Sequence, residues 1–483
     1  MYTQSPARLE ATRRPTRALR RQHGSAFERW CFALSCLAFC AISAKSGHRY
    51  TAKVTHKTTR QKVIWSSDFH IAGPADVKDV LRNWHVGSGV TIRDESLSGH
   101  CQLTKTCTTQ LKILNSTNGI TLGSCPNEMK RKFWYEYRNN ILFRDLDAFL
   151  VTYAIGLAEV FMSFDLPIIV VVPVRYEVGR LSAQSWLRLN ENLRNIALDS
   201  RNTLAANNKY DLEYLKHFTG IQNVRYIPNF CGYTKYIYKP TRSQVLIGPS
   251  RFSRGGRVLL SDVEHGLLPT FEREKKKWPN LQLAVIRELY PHYRFSDLVL
   301  HPAVVIIPYA NSVMAVIEYY RMGIPLFAPS LYLLVSWQAD HLVMDEISWN
   351  CIHGACGNSS SIQPHPSSPH SALYDPNNLT DVASMRYWLQ FSDFYQWPAV
   401  VHFESWDDLF FKLTTTNLVK VHEEMMKYNA AMFKYILSEW NDVLDRAFGA
   451  DSPRHSKSIE ITTWRDAVKH RYSDISDDLL GEC

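Results

Sequence analysis

The sequence predicts an α/β fold built as two parallel-sheet units in succession, each sheet covered by helices. Three observations predict it. Short apolar runs such as "LPIIVVVPV" (166–174) lack polar alternation, the pattern of strands buried on both faces. Stretches with apolar residues at helical spacing lie between such runs. The alternation stops at an aperiodic stretch, "IPNFCGYTKYIYKPTR" (227–242), and then resumes, which suits 483 residues divided between two cores.

The first unit is expected over 61–235. It opens with a β-prone strand at 63–65, a loop over 66–74 and a helix over 75–84. Runs 147–153 and 166–174 are buried strands, with a helix, "AIGLAEVFMSF", between them. Trp186, Leu189, Leu193 and Ile196 make one face of a helix that starts near Ser182, a good N-cap. "TLAANNKYDLEYLKHFTG" reads as strand, polar turn and helix, ended by Gly220. The second unit is expected over 241–448. "QVLIGPSRFSRGGRVLL" gives strand, Gly/Arg loop and helix, and 281–286, 303–309 and 324–330 are further strands. Residues 354–380, rich in Ser, Pro, His and Asn, read as a solvated surface insertion. Helical spacing from Ser405 to Phe448 predicts long helices, and 449–483 is a tail.

Before the first unit the composition changes. Residues 1–29 hold seven Arg against Glu10 and Glu28, a net of +5 out of +9 for the whole chain. The remaining +4 is spread over a long body, so no nucleic-acid partner is expected. "WCFALSCLAFCAISA" (30–44) is apolar and uncharged. As a helix it rises about 22 Å, short of a ~30 Å hydrocarbon core. It fits a signal-peptide core with a poor cleavage site near 41–44, or a short signal anchor in a thin early-secretory membrane. The Arg-rich arm would then stay cytoplasmic, 45–60 would be a stem, and the body would be lumenal. Sequons at Asn115, Asn358 and Asn378 agree with that side. Of ten Cys, three lie in the apolar segment. The others leave room for a Cys351/Cys356 loop bridge and for pairing within Cys101, Cys107 and Cys125, with at least one left free. No CxxC-like pair suggests zinc.

The stretch "HPAVVIIPYANSVMAVIEYYRMGIPLFAPS" (301–330) carries the most specific resemblance. Strand, P-x-x-x-S, helix with Glu, then G-x-P and strand, here Pro308, Ser312, Glu318, Gly323 and Pro325, resembles the second domain of the GT-B glycosyltransferase superfamily. The resemblance covers roughly 62–448, mostly as a pattern of two Rossmann-like αβα domains facing across a cleft. It implies a sugar transfer from a nucleotide-sugar co-substrate, with no separate cofactor, to a glycan, protein or lipid hydroxyl. By it, Glu318 accepts hydrogen bonds from the donor ribose, with Pro308, Asn311 and Ser312 forming the adjoining loop. The chemistry agrees: a carboxylate is acceptor-only and can hold two vicinal hydroxyls. Retaining enzymes of the fold often carry E-x7-E, but the earlier position is Ala310, so an inverting transfer is expected.

Gly248, Arg251, Arg254 and Arg257 follow the first strand of the second unit. Glycine lets backbone approach a diphosphate and guanidinium groups bind phosphate bidentately, so this loop is expected to neutralise the leaving nucleotide without a metal. An ordinary basic surface turn is the bland alternative. In the first unit, "SSDFHIAGP" follows the first strand, and in inverting relatives this loop often carries the base that deprotonates the acceptor. Asp68 and His70 are both candidates, with Glu177 second. Arg175, Glu177 and Arg180 end another buried strand and are expected to face the same cleft, and Asn208 is either an acceptor contact or a helix cap. Asp145 and Asp147 form a DxD, but ahead of a strand, so no metal site is expected there. His353, His365 and His370 read as solvated loop residues. The expected setting is the Golgi or endoplasmic reticulum membrane, with secretion as the alternative. A non-catalytic nucleotide- or carbohydrate-binding protein on the same scaffold is the rival reading. A hydrolase would want G-x-S-x-G, which does not occur.

Overall fold

The computed structural model describes residues 61–83, 89–123, 125–249, 254–348 and 359–449. The basic arm, the apolar segment, the stem, Arg251, His353, Asn358, Cys351, Cys356 and the segment after Gly449 lie outside the described residues. Among the described residues no helix is long and apolar enough to cross a membrane.

Two sheets form, and every neighbouring pair in them is parallel. The first holds β1 (Lys62–Ser67), β2 (Val90–Asp94), β3 (Ala148–Val151), β4 (Ile168–Val172), β5 (Thr203–Ala206) and β6 (Arg225–Tyr226), in the order β2-β1-β3-β4-β5-β6. The second holds β7 (Gln244–Ile247), β8 (Gln282–Val285), β9 (Val304–Val305), β10 (Leu326–Pro329) and β11 (Val401–Phe403), in the order β11-β10-β9-β7-β8. The strand order reverses beside β1 in one sheet and beside β7 in the other. In such sheets a crevice opens at the carboxyl ends of the strands where the order reverses, and ligands bind there.

The local reasons match the sequence. All five residues of β4 are buried, as its unbroken β-branched run requires. Each contributes roughly 1.5–3 kcal/mol of apolar burial. Ser182 caps the helix Ala183–Leu198 by accepting from Ser185 N. Gly220, at φ +73°, ends α2 (Lys209–Thr219).

Two features change how the units are held. The segment 359–380 runs over the surface, as expected, with Leu373 82% exposed, but it is anchored to the first unit. Ile362 and Trp388 are buried with Trp186, Tyr210 and Tyr214 of the first unit. Asn377 Nδ2 donates to Tyr214 Oη (2.9 Å), and the backbone N–H of His365 donates to His217 O (2.9 Å). His370 is seated between Glu213 and Tyr387, at 3.0 and 2.7 Å. The second feature is α4 (Leu418–Phe448), the last of the expected C-terminal helices, 31 residues long. Its first half meets the second unit, where His422 contacts Gly323 O at 2.8 Å. Its second half delivers Ile436, Trp440, Val443, Leu444 and Ala447 to the core formed by Ile64, Val80, Leu150 and Ile169 of the first.

The linker is aperiodic, as expected, and is pinned from both sides. Asp76 of α1 (Ala72–Asn83) accepts from the backbone N–H groups of Phe230 (3.0 Å) and Cys231 (2.5 Å). Arg321, the last residue of α3 (Met314–Arg321), donates to Asn229 O at 2.9 and 3.1 Å and to Asn429 Oδ1 at 2.7 Å.

Candidate functional site

On the second unit, a cavity of about 630 Å³ opens at the carboxyl ends of β7, β8 and β9. Gly248 and Pro249 follow β7, Ile286 and Arg287 follow β8, and Tyr309 follows β9. Pro291, Tyr293, Ala315 and Tyr319 complete the wall. Gly248 sits at φ +146°, a conformation that favours glycine, and a Cβ there would come within 3.0 Å of Ile286 Cδ1. The Arg287 guanidinium lies over the Tyr293 ring at 4.7 Å from its centroid. Aromatic faces suit a planar ring and the guanidinium suits an anion, so the cavity can take a flat, phosphorylated ligand.

Glu318 lies on α3 between Ala315 and Tyr319 in sequence. Its Oε1 accepts a hydrogen bond from Tyr233 Oη at 2.7 Å. Burial pushes its carboxyl up from 4.5 to about 7; the Tyr233 bond opposes the rise and the Asp76 charge adds to it. The loop ahead of it differs from expectation. Asn311 is fully buried; its backbone oxygen accepts from Asp393 N (3.2 Å) and its Oδ1 from Ser392 Oγ (3.4 Å). Ser312 Oγ donates to Asp393 Oδ2 at 2.5 Å. Pro308 is buried. The polar groups of this loop are thus turned onto 392–393 rather than presented to a ligand. Of the basic loop, Arg257 is exposed and does not line the cavity, and the Arg254 side chain is not among those described.

On the first unit, Asp68 follows β1 directly. It is buried at 1% exposure, accepts from Ser96 Oγ at 2.8 Å and has Lys78 Nζ 3.9 Å away. Burial raises its carboxyl to about 6, against the pull of Lys78 and the Ser96 bond. Asp68 lines a cavity of about 270 Å³ with Ile71, Ala75, Lys78, Asp79, Arg82, Thr104, Thr106 and Tyr233. Thr104 and Thr106 stand on a loop closed by the Cys101–Cys107 disulfide. His70 is exposed, takes a bond from Ala72 N at 3.3 Å, lies edge-on to Tyr153, and does not line this cavity.

Three residues expected to face the cleft turn into the protein. Arg180 is buried against Glu159, which also meets Lys130 (3.3 Å) and Asn192, a charge cluster internal to the first unit. Glu177 is buried, accepts from Tyr214 Oη at 3.0 Å and is pushed up to about 7 by that burial. Arg175 is buried 3.6 Å from Asp211 and donates to Glu346 O across to the second unit at 3.3 Å. Buried partners hold these side chains inward: Asp211 and Glu159 for the two arginines, and the Tyr214 hydroxyl for Glu177. Asn208 is the N-cap of α2, accepting from Asp211 N. Asp147 ties the amino ends of the inner strands β1 and β3 together, paired with Lys62 (3.2 Å) and Val63 N (2.9 Å). Among the described residues no cluster of His, Cys, Asp or Glu could hold a metal.

Tyr233 is the residue that sequence reasoning missed. Its hydroxyl holds Glu318 while the residue also lines the Asp68 cavity, so the two candidate carboxylates meet across one linker side chain. Nothing in the aperiodic linker singles it out.

No family model matches the chain, and no curated protein matches it. Solved structures do. A crystal structure of the glycotransferase of kitacinnamycin covers 80% of this chain and 99% of its own at 10% identity, with a TM-score of 0.42. The glycosyltransferase SnogD from Streptomyces nogalater covers 78% and 99% at 9% identity, TM-score 0.33. A putative UDP-N-acetylglucosamine 2-epimerase from Listeria monocytogenes covers 76% and 91% at 11% identity, TM-score 0.35. At such TM-scores the likeness carries no weight for function, which has to rest on the chain's own geometry.

Proposed function

We propose that the protein is a glycosyltransferase of the GT-B kind, moving a sugar from a nucleotide-sugar to an acceptor hydroxyl with inversion. One observation carries the reading: a half-buried carboxylate, Glu318, sits on the helix that walls an aromatic cavity at the β7 switch point and holds Tyr233, which lines a second cavity with the buried Asp68 at the β1 switch point. The nucleotide base lies against Tyr293 and Tyr319, and its ribose reaches Glu318. Arg287, which lines the cavity, neutralises the diphosphate, so that no metal is needed.

Asp68 is the base. With its carboxyl near 6 it is ionised at neutral pH yet basic enough to accept a proton as the bond forms. The acceptor oxygen loses its proton to Asp68 and bonds to the anomeric carbon. The bond from that carbon to the phosphate oxygen breaks, and the nucleoside diphosphate leaves with the electron pair. The Ala310 in place of a Glu supports inversion. The Cys101–Cys107 bridge supports an oxidising compartment. With the Arg-rich arm and apolar segment, this favours a lumenal body held at a Golgi or endoplasmic reticulum membrane.

The test is thermal shift with UDP, GDP, CMP and ADP. One of them at about 100 times its dissociation constant should stabilise the protein by ~2.7 kcal/mol, and not stabilise Glu318→Ala. No stabilisation by any of the four refutes the reading. Stabilisation with no sugar transfer, and none lost in Asp68→Asn, selects the binding-only rival.

A further inference from the structure

The cavity beside Asp68 has a composition that narrows the acceptor. At about 270 Å³ it lies just below the ~300–1,000 Å³ usual for drug-sized ligands. That is room for one small ring. Its charges cancel. Lys78 is in close contact with Asp94, and Arg82 reaches Asp94 at 3.2 Å, so both cations are already engaged. Asp68 and Asp79 add negative charge to the same wall. A phosphate or carboxylate entering here would meet two paired cations and two acids, which disfavours any anionic acceptor.

What remains is a set of groups suited to neutral hydroxyls. Asp68 and Asp79 accept hydrogen bonds. The Thr104 and Thr106 hydroxyls hydrogen-bond each other at 2.7 Å, with Thr104 Oγ1 also within reach of Cys101 O at 3.2 Å, and their remaining lone pairs accept from a ligand. Ile71, Ala75 and Tyr233 supply apolar surface, and an aromatic side chain offers a flat apolar body with a polar tip. Alternating polar and apolar walls around a ring-sized space match a sugar, which carries hydroxyls at its edge and C–H groups on its faces.

Building on the glycosyltransferase reading, we infer that this cavity seats one neutral sugar ring and that the acceptor is the end of a glycan. The acceptor is then not a polypeptide hydroxyl, a lipid alcohol or a phosphorylated carrier. The ring stacks on Tyr233, presents one hydroxyl to Asp68, and has a second hydroxyl read by the Thr104–Thr106 rim. The disulfide makes that rim a fixed loop, so it acts as the specificity element.

Saturation-transfer NMR on the full chain tests this without knowledge of the donor. The probes are methyl glycosides of glucose, galactose, mannose and N-acetylglucosamine, a Ser/Thr peptide, octanol and glucose 6-phosphate. At least one methyl glycoside should receive transfer at its ring protons. The double variant Thr104→Val/Thr106→Val should weaken that signal at least tenfold, because a site built for a hydroxyl is left with lost partners. Tyr233→Leu should weaken it too, and far-UV circular dichroism of both variants should match the parent. Transfer to the peptide, octanol or phosphate in place of the glycosides overturns the inference. So does glycoside transfer that both variants leave unchanged. If a nucleotide stabilises the protein but no glycoside binds, the inference falls and the glycosyltransferase reading stands. If glycosides bind and no nucleotide does, the converse holds.

Discussion

Replacing Glu318 with Gln isolates the electrostatic cost of the buried carboxylate. Gln keeps an oxygen that accepts from Tyr233 Oη but cannot ionise. In the native protein the carboxyl rises from 4.5 to about 7 on burial. The folded state therefore holds its proton more tightly than the unfolded state. The stability this group contributes is full below pH 4.5 and is lost as pH rises through about 7. The rise from 4.5 to about 7 corresponds to about 3 kcal/mol at full ionisation. The charged Tyr233 bond is already contained in that value. The variant should thus exceed the parent by under about 1 kcal/mol at pH 5 and by about 3 kcal/mol at pH 8. For a folded body of roughly 400 residues, the pH 8 gain is a Tm difference of about 3–4 °C. Thermal melts of both proteins at pH 5, 6, 7 and 8, at matched ionic strength, read it as a difference curve. Asp68, Asp76, Glu177 and Asp393 are also raised, to about 6 or 7, but they titrate in both proteins and cancel. A Tm difference that stays flat from pH 5 to pH 8 would refute the burial of Glu318 and the argument built on it.

Three further outcomes are expected. Arg321→Ala leaves Asn229 O and Asn429 Oδ1 without their buried charged donor and should cost about 3–5 kcal/mol in urea unfolding; a loss under 1 kcal/mol contradicts the pinned linker. Glu159→Gln strips the carboxylate from Lys130 and Arg180 at once and should destabilise by a similar ~3–5 kcal/mol, with no effect on nucleotide affinity measured by calorimetry. Tyr233→Phe removes the hydrogen bond to Glu318 and should push that carboxyl further up. Melts should show a loss of about 1.5–3 kcal/mol at pH 8 that shrinks by pH 5, where the carboxyl is protonated with or without the phenol.

The parts legible in the sequence are those fixed by local chemistry. β3 and β4 announce themselves because strands buried on both faces need unbroken apolar runs. Ser182 and Gly220 mark helix ends because capping and positive φ each favour few residue types. β2, with the burial pattern ieBii, and the two-residue β6 are sheet-edge strands with no such run, and escaped. The expected strand at 303–309 makes a ladder only at Val304–Val305. Asp68 stands directly past β1 and Glu318 on the helix that follows β9, on the side where a parallel sheet places ligands, which is what singles them out in the sequence. Tyr233 was not legible, since its role exists only once α3 and α1 are both in place. Asn311 and Ser312 were misread for the same reason: the acid that captures Ser312 lies 81 residues along the chain. Arg180 and Glu177 show that a polar residue after a buried strand can equally turn inward when a buried partner awaits it.

The helix α4 sets the order in which the chain can become stable. The first sheet is synthesised early, yet one apolar face, around Ile64, Leu150 and Ile169, is closed by Ile436, Trp440 and Val443. At ~5–20 residues per second, roughly 200 residues separate the linker from that cover, a delay of about 10–40 s. During this time a nearly complete domain presents a bare core to whatever lies near the ribosome or the translocon. A chain cut at the linker would keep that exposure permanently, so the two units are halves of one folding event although each has its own sheet.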